Sequence, residues 1–360
     1  MSVIAILVDK NPYTSFGRMA LQFQKALRSR NHQAEIIWLS SNKYFPQGPP
    51  HEPFVVHSPS FIQGFFRFGS GVSPLLKKIQ PDHVLIIRPE LSFLISSIRK
   101  ANPITQIAVM IHDTFAETLY KNSLKFRLIN RFYISPITSL HTFLFNSEYT
   151  RHEAHKYWSL KGKEVLCGCV IDPLEFYPLS ESKSELRKKL NLPLSKKIFL
   201  NISLDEPRKN IQTFLELARK MPDALFLRVG PWSESMQGFV ETHQCTNIIH
   251  RQSLSHSDLL CLYNCVDALI FTSLFEGFGM PPLEALSCQT PVISSGTSAM
   301  AEILKGICPL TDNPQDLCFY ESEILRLAEF DQRFPRSEIQ KRLQEFSPES
   351  FAEKLRSWIP

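Results

Sequence analysis

The stretch Phe275-Glu276-Gly277-Phe278-Gly279-Met280-Pro281-Pro282-Leu283-Glu284-Ala285-Leu286 decides how this chain is read. Two carboxylates, Glu276 and Glu284, stand eight positions apart, with two glycines and a Pro-Pro pair between them. Upstream, Val266-Asp267-Ala268-Leu269-Ile270-Phe271 is a short, bounded apolar run, the pattern of a buried strand. Pro281 and Pro282 suit the first turn of a helix, where a missing N–H costs nothing, and Glu284 is then expected in that same turn. The segment reads as strand, glycine-rich loop and helix N-terminus, where unpaired N–H groups and the positive dipole end favour an anion. Glycine lets the backbone come close to a ligand. A carboxylate beside a diphosphate does not serve the phosphates; it suits vicinal hydroxyls, such as those of a ribose. Spacing alone leaves a plainer alternative open, a strand–loop–helix of any α/β protein with both acids solvated.

Working outward, apolar runs alternate with amphipathic segments through the whole chain. Strands are expected at Ile4–Val8, Glu35–Leu39, Val84–Arg88, Ile107–Ile111 and Thr142–Phe145, with helices at Phe16–Arg28, Leu91–Lys100 and Glu148–Trp158. After about residue 176 the alternation restarts, with strands at Ile198–Ile202, Leu225–Val229, Asn247–Ile249, Ala268–Phe271 and Val292–Ser294. The helices of this half are expected at Asn210–Lys220, Ser255–Tyr263 and Pro282–Cys288. Strand–helix alternation predicts a parallel sheet covered on both faces, and its occurring twice predicts an α/β protein of two Rossmann-like lobes. The Pro-containing run Cys169–Pro178 marks the boundary between them, and residues 44–74, rich in Pro, Ser, Gly and Phe, read as mostly loop. Near the end, Ser347 and Pro348 start a helix whose Phe351, Leu355, Trp358 and Ile359 share one apolar face.

With 360 residues, 43% hydrophobic and 21% charged, the chain falls in the range of soluble two-domain proteins. Its first residues read as a strand rather than a signal peptide, and no apolar stretch is long enough to span a bilayer. The eight cysteines form no paired C-x-x-C motifs, so a zinc site is not expected; they read as core filler in a reducing, cytoplasmic setting. Residues 1–175 hold 20 Lys and Arg against 12 Asp and Glu, a balance of +8, while the remainder balances at −3. A basic N-terminal half attracts an anionic substrate or surface.

The quoted stretch also resembles the E-x7-E signature of family 4 retaining glycosyltransferases (glycosyl transferases group 1), and Pro291–Gly296 and Ala301-Glu302-Ile303 are similar to the rest of that motif. The resemblance implies the GT-B architecture. Its lobes would be an acceptor-binding N-terminal lobe at 1–172, a nucleotide-sugar-binding lobe at 173–342, and a last helix at 343–360 that crosses back onto the first lobe. An interlobe cleft would hold the donor. It implies that Glu284 binds the donor ribose and that Glu276 faces the sugar or the reacting centre. The segment Gly277, Phe278, Gly279 and Met280 would contact sugar hydroxyls and phosphate.

Leu204-Asp205-Glu206-Pro207-Arg208-Lys209-Asn210 places two cations before a helix, where the dipole prefers acids, which makes sense beside a bound anion. It is similar to the family's donor-phosphate motif, which implies that Lys209 and Arg208 neutralise the leaving diphosphate. Many relatives carry another Arg five positions before that Lys; here Leu204 stands there, and either that cation is missing or Arg208 substitutes for it. Met110-Ile111-His112-Asp113 ends a strand with polar residues, where open α/β sheets bind ligands, and in the family a His at this place contacts the donor sugar. Gly17, after the first strand, offers either a close-approach amide or an ordinary helix start; with no G-x-G-x-x-G there, a dinucleotide dehydrogenase is disfavoured. Ser147 in Asn146–Arg151 is expected to cap a helix. His250-Arg251-Gln252 is a candidate for the region near the nucleotide base, and Leu119–Tyr133 is a basic, aromatic segment that fits an ordinary amphipathic helix or an anionic membrane surface.

The expected function is transfer of a mannose- or glucose-type sugar from a nucleotide diphosphate sugar to an acceptor hydroxyl. The transfer would be retaining and metal-independent, with no cofactor beyond the donor substrate. The setting would be cell-surface polysaccharide or glycolipid assembly. Expected partners are the donor and a carbohydrate or lipid-linked acceptor, with peripheral contact at the inner face of the membrane possible and no nucleic acid. A non-catalytic nucleotide-sugar-binding subunit and an epimerase of the same fold remain alternatives.

Overall fold

Thirteen strands, mostly apolar and buried away from the sheet edges, form two all-parallel sheets in the computed structural model, which describes residues 1–10, 14–41, 54–58, 61–114 and 135–360. In the first sheet the order is β3-β2-β1-β4-β5-β6-β7. Its strands are β1 Val3–Val8, β2 Gln33–Ser41, β3 Val55–Ser58, β4 His83–Ile86, β5 Gln106–Ile111, β6 Thr142–Phe145 and β7 Lys163–Leu166. In the second the order is β10-β9-β8-β11-β12-β13. These are β8 Ile198–Ile202, β9 Leu225–Val229, β10 Ile248–Arg251, β11 Ala268–Phe271, β12 Val292–Ser295 and β13 Leu310–Thr311. Parallel strands need crossovers, and helices supply them on the sheet faces, which is why the strands read as unbroken apolar runs. Strand order reverses between β1 and β4 in one sheet and between β8 and β11 in the other. Ligands of open α/β sheets bind outside the carboxyl ends of the strands at such points.

The chain divides into two compact units, Met1–Val170 with Pro348–Pro360, and Ile171–Ser347. The first unit's core runs from Leu7 and Val84 on the sheet to Phe68, Val72 and Leu76 on the helix Phe61–Ile79. The second gathers Phe199, Phe214, Phe226, Ile270 and Ile293. At the amino end of its sheet, Arg187 is a fully engaged buried cation. It donates to the carbonyls of Cys265, Leu194 and Lys196 and to Asp267 Oδ2 at 2.8 Å.

Residues 44–74 are not mostly loop where they are described. Val55–Ser58 pairs with β2 in parallel register, Trp38 opposite Val55, and a helix of 19 residues follows at Phe61–Ile79. The glycines that read as loop punctuation serve close packing. A Cβ at Gly71 would lie 2.4 Å from Val56 Cγ1, and one at Gly69 2.8 Å from Ser97 Oγ. Residues 44–53 and the basic segment 119–133 lie outside the described residues. Among the described residues no helix is long and apolar enough to cross a membrane.

The closing helix Pro348–Lys354 and the turn Leu355–Ser357 pack on the first unit. Phe351 meets Phe23 edge-on at 4.9 Å, and Arg30 Nη1 donates to Ile359 O at 3.0 Å. Phe351, Leu355, Trp358 and Ile359 are all buried, so the apolar face read from their spacing is the packed face. Phe351→Ala is expected to destabilise the first unit by roughly 3–5 kcal/mol, the cost of emptying a buried phenyl site. Urea unfolding followed by far-UV circular dichroism checks this, and the far-surface change Glu353→Ala should leave the midpoint in place.

Candidate functional site

Parallel pairing of β8 with β11 puts the loops after these strands side by side. The loop after β8 carries a short 3-10 turn, Pro207–Lys209, followed by Asn210 in the left-handed conformation (φ 50, ψ 45) and the helix Ile211–Lys220. Asn tolerates that conformation better than most residues. Its Nδ2 donates to Thr272 O at 3.0 Å and Pro314 O at 2.9 Å, which ties it to the end of β11. Thr272 Oγ1 donates back to the carbonyls of Lys209 and Asn210, and Leu274 N donates to Arg208 O at 2.7 Å.

This lattice brings Glu276 against the two cations. Lys209 Nζ lies 2.6 Å from Glu276 Oε1, and Arg208 Nη1 lies 3.1 Å from Oε2. Arg208 also donates from Nη1 to Phe275 O and from Nε to Glu206 Oε2, the latter at 2.6 Å. Burial works to raise the Glu276 pKa, but Lys209 and then Arg208 outweigh it and hold the carboxyl below its ordinary value. Glu276 is therefore a buried carboxylate, charged at neutral pH and 6% exposed. Sequence reasoning missed its backbone support, Ser298. Ser298 sits at φ 53, ψ −138, an uncommon region for a residue with a side chain, and its Oγ accepts the Glu276 N–H at 2.8 Å. Its position just after β12 was the available signal.

The helix Met280–Ser287 begins at a left-handed Gly279 (φ 90) with no side-chain cap. A Cβ at Gly279 would also fall 2.2 Å from Met300 Cε, but that flexible side chain can move aside, so it is the backbone that requires glycine. Gly277 and Phe278 are buried in this loop, and Phe278 meets Phe346 edge-on at 5.3 Å. The helix starts at Met280, one residue before the proline pair, so Glu284 lies in its second turn and not its first. Glu284 is buried, and Tyr263 Oη donates to its Oε2 at 2.9 Å. His250 lies at the end of β10 with its ring stacked on Trp232 at 4.8 Å. Among the described residues no group of three or more His, Cys, Asp and Glu is placed to hold a metal ion.

The other proposed site residues belong to the first unit. His112 directly follows β5 at the sheet's carboxyl edge, 8% exposed, with Nε2 at 2.7 Å from Ile87 O, which makes Nε2 the protonated nitrogen. Its carbonyl accepts from Asn146 Nδ2 and Thr150 Oγ1. Phe16 packs edge-on against its ring at 4.8 Å. Beside it, at the β1/β4 switch point, Arg88 bridges Asp9 (2.8 Å) and Glu90 (2.9 Å), an arrangement that no motif in the sequence signalled. Gly17 is the third residue of the helix Ser15–Ser29, and its N–H donates to Thr14 Oγ1 at 3.2 Å, so of its two readings the amide serves the helix start here. Ser147 caps the helix Glu148–Tyr157 by accepting from Thr150 N at 3.0 Å, and Arg151 pairs with Glu148 at 2.7 Å.

Burial lowers the His112 pKa to about 4, against the Ile87 hydrogen bond and Glu90, while Arg88 adds to the lowering. The folded protein thus refuses a proton that the unfolded chain accepts near 6.5. The resulting stability is complete above pH 6.5 and is lost as pH falls towards 4, about 3 kcal/mol in all. His112→Gln, whose amide can still donate to Ile87 O, is expected to flatten that acid limb. Denaturant unfolding of both proteins from pH 7 to pH 4 measures it; equal slopes would contradict a buried neutral imidazole.

Residues 182–306 match the family described as glycosyl transferases group 1. A stretch of 149 residues is 31% identical to the serotype-specific mannosyltransferase WbdA of Escherichia coli, covering 38% of this chain and 18% of WbdA. The fold matches sucrose-phosphate synthase from Thermosynechococcus elongatus at a TM-score of 0.81 and 17% identity, over 99% of this chain and 98% of that one. It also matches HepE of Anabaena, solved with UDP and glucose, at a TM-score of 0.71 and 16% identity, over 100% and 99%. The architecture is GT-B, and residues 182–306 carry the likeness to the glycosyl transferases group 1 family.

Proposed function

We propose that this chain is a retaining glycosyltransferase that moves a mannose- or glucose-type sugar from a nucleotide diphosphate sugar to an acceptor hydroxyl. The observation that carries the reading is the buried carboxylate Glu276 clamped by Lys209 and Arg208 at the β8/β11 switch point, beside the uncapped start of the helix Met280–Ser287. Cations and helix amides meet there where a diphosphate is expected to sit. WbdA, a mannosyltransferase, and HepE, solved with UDP and glucose, support the donor class.

In the proposed reaction the bond from the anomeric carbon to the diphosphate oxygen breaks. The acceptor oxygen bonds that carbon on the same face, and its proton passes to the leaving phosphate. Charge grows on the diphosphate as the bond breaks, and Lys209, Arg208 and the amides after Glu276 stabilise it, so the step needs no metal. Glu276 stabilises the positive character of the sugar ring. Glu284, turned towards Tyr263 in its helix, takes the ribose hydroxyls. In the first unit, His112 is neutral with Nε2 committed to Ile87 O, and offers Nδ1 to a sugar hydroxyl. The acceptor is a carbohydrate or a lipid-linked carbohydrate of cell-surface polysaccharide or glycolipid assembly, at the inner face of the membrane; the +8 balance of residues 1–175 favours an anionic acceptor or surface.

One observation favours a second reading, a non-catalytic nucleotide-sugar-binding subunit: Leu204 stands where a further cation was expected, and both remaining cations are engaged by carboxylates.

Lys209→Ala is expected to lower sugar transfer by roughly 10²–10³-fold, the cost of losing one preorganised charge stabiliser, while the fold persists. A transfer assay with labelled GDP- and UDP-sugars measures this, and wild-type turnover would remove Lys209 from the mechanism. Glu284→Ala is expected to weaken nucleoside diphosphate binding by roughly 1.5–3 kcal/mol, the scale of hydrogen bonds to a charged group, and Tyr263→Phe by much less. Calorimetric titration of both variants with UDP and GDP separates ribose binding from simple support of the carboxylate.

A further inference from the structure

Arg228 is 0% exposed, on β9. Its Nη2 donates to Ser203 O at 2.8 Å, while Nε and Nη1 are buried without a hydrogen-bond partner. Arg187 in the same unit shows the contrast, since its buried guanidinium is given three carbonyls and a carboxylate. Burial lowers the Arg228 pKa to about 10, with Asp205 the acid acting against that shift, so the group is charged at neutral pH. A buried, half-satisfied cation works against stability, and an apolar side chain of similar length would serve the interior better. Such a group at this place points to a role outside stability.

Its surroundings identify that role. Arg228 stands opposite Asn201 of β8 and His250 of β10, a polar row across one face of the sheet, two residues beyond the core residue Phe226. Its one hydrogen bond reaches Ser203, the residue that opens the loop carrying Arg208 and Lys209. Gly230 lies against it at φ +129, and a Cβ there would stand 2.1 Å from Ser203 O and 2.7 Å from Nη1. Glycine therefore leaves that side of Nη1 clear of a side chain. Ser203, Asp205 and Gly230 are each partly exposed, so the guanidinium lies one residue beneath the surface. Charge balance gives the reason for a further cation. Arg208 and Lys209 already face Glu206 and Glu276, two positive charges against two negative ones, which leaves that cluster no surplus for a diphosphate.

We propose that Arg228 is an anion-binding residue that gives its unspent Nε and Nη1 donors to the diphosphate of the bound nucleotide. This rests on the proposed function, and it makes Arg228 the cation that Leu204 does not supply. Asp205 offsets the Arg228 charge, and an incoming phosphate takes that carboxylate's part.

The test is calorimetric titration of the whole chain, wild type, R228M and R228K, with UDP, GDP, uridine, guanosine and inorganic pyrophosphate, alongside thermal unfolding without ligand. The expected result is that R228M unfolds at or above the wild-type temperature and binds the nucleoside diphosphate at least tenfold more weakly. Binding of the bare nucleoside should be unchanged, and R228K should recover most of the loss. Equal diphosphate affinity in R228M overturns the proposal. So does a parallel loss for nucleoside and diphosphate with a lower unfolding temperature, the mark of a structural role. If R228M does not fold, R228Q carries the same comparison. If the wild type binds neither UDP nor GDP, the proposed function falls, and pyrophosphate decides Arg228 alone: retained binding in the variant overturns its role, and loss supports it.

Discussion

The parallel contact between β8 and β11 is the constraint on which the second unit's chemistry depends. Two strands far apart in sequence become neighbours because β9 and β10 stack outward from β8 on one side, while β12 and β13 stack outward from β11 on the other. Their loops must then leave the sheet edge together. Asn210 and Thr272 lock the loops by exchanging side-chain and main-chain hydrogen bonds, and the short ion pairs of Glu276 follow from that locking. None of the three charged residues needs to be drawn in by long-range attraction. The backbone delivers them at hydrogen-bond distance, in a dry setting where charge pairing is strong.

The same logic operates in the first unit with different residues. At its own switch point the ends of β1 and β4 supply Asp9 and Arg88, and β5 adds His112. Arg88 is over-balanced by two carboxylates, so this edge is net negative, where the cluster of Arg208 and Lys209 is balanced, and it suits phosphate less. It offers hydrogen-bonding groups of both kinds instead, and a neutral imidazole, a set better matched to hydroxyls. The two sheets thus present different chemistries at equivalent topological positions.

Much of this was legible in the sequence because strands buried on both faces write themselves as apolar runs. Ile198–Ile202 and Ala268–Phe271 were read with the bounds they have. The cluster of Glu276, Lys209 and Arg208 was legible as two motifs, though not as one ion-paired group, since their contact spans 67 residues of chain. Other features were hidden for identifiable reasons. Gly69 and Gly71 look like loop residues, yet they admit Ser97 and Val56 to a helix. Glu284 falls a turn later than expected because Gly279 adopts a left-handed conformation that starts the helix before the prolines. Arg228 lies within the strand expected at Leu225–Val229, but nothing in the sequence marks its burial, which its place between Asn201 and His250 on the sheet reveals.

The first unit is closed by Pro348–Pro360, whose Phe351 fills the site beside Phe23. During synthesis, then, a ribosome that has already released β1 to β7 still holds the piece that seals them. The second unit, contiguous from Ile171 to Ser347, is free to fold while the first waits with an open apolar face. The order of completion is the reverse of the order of appearance, and loss of Pro348–Pro360 strikes the unit whose strands come first in the chain.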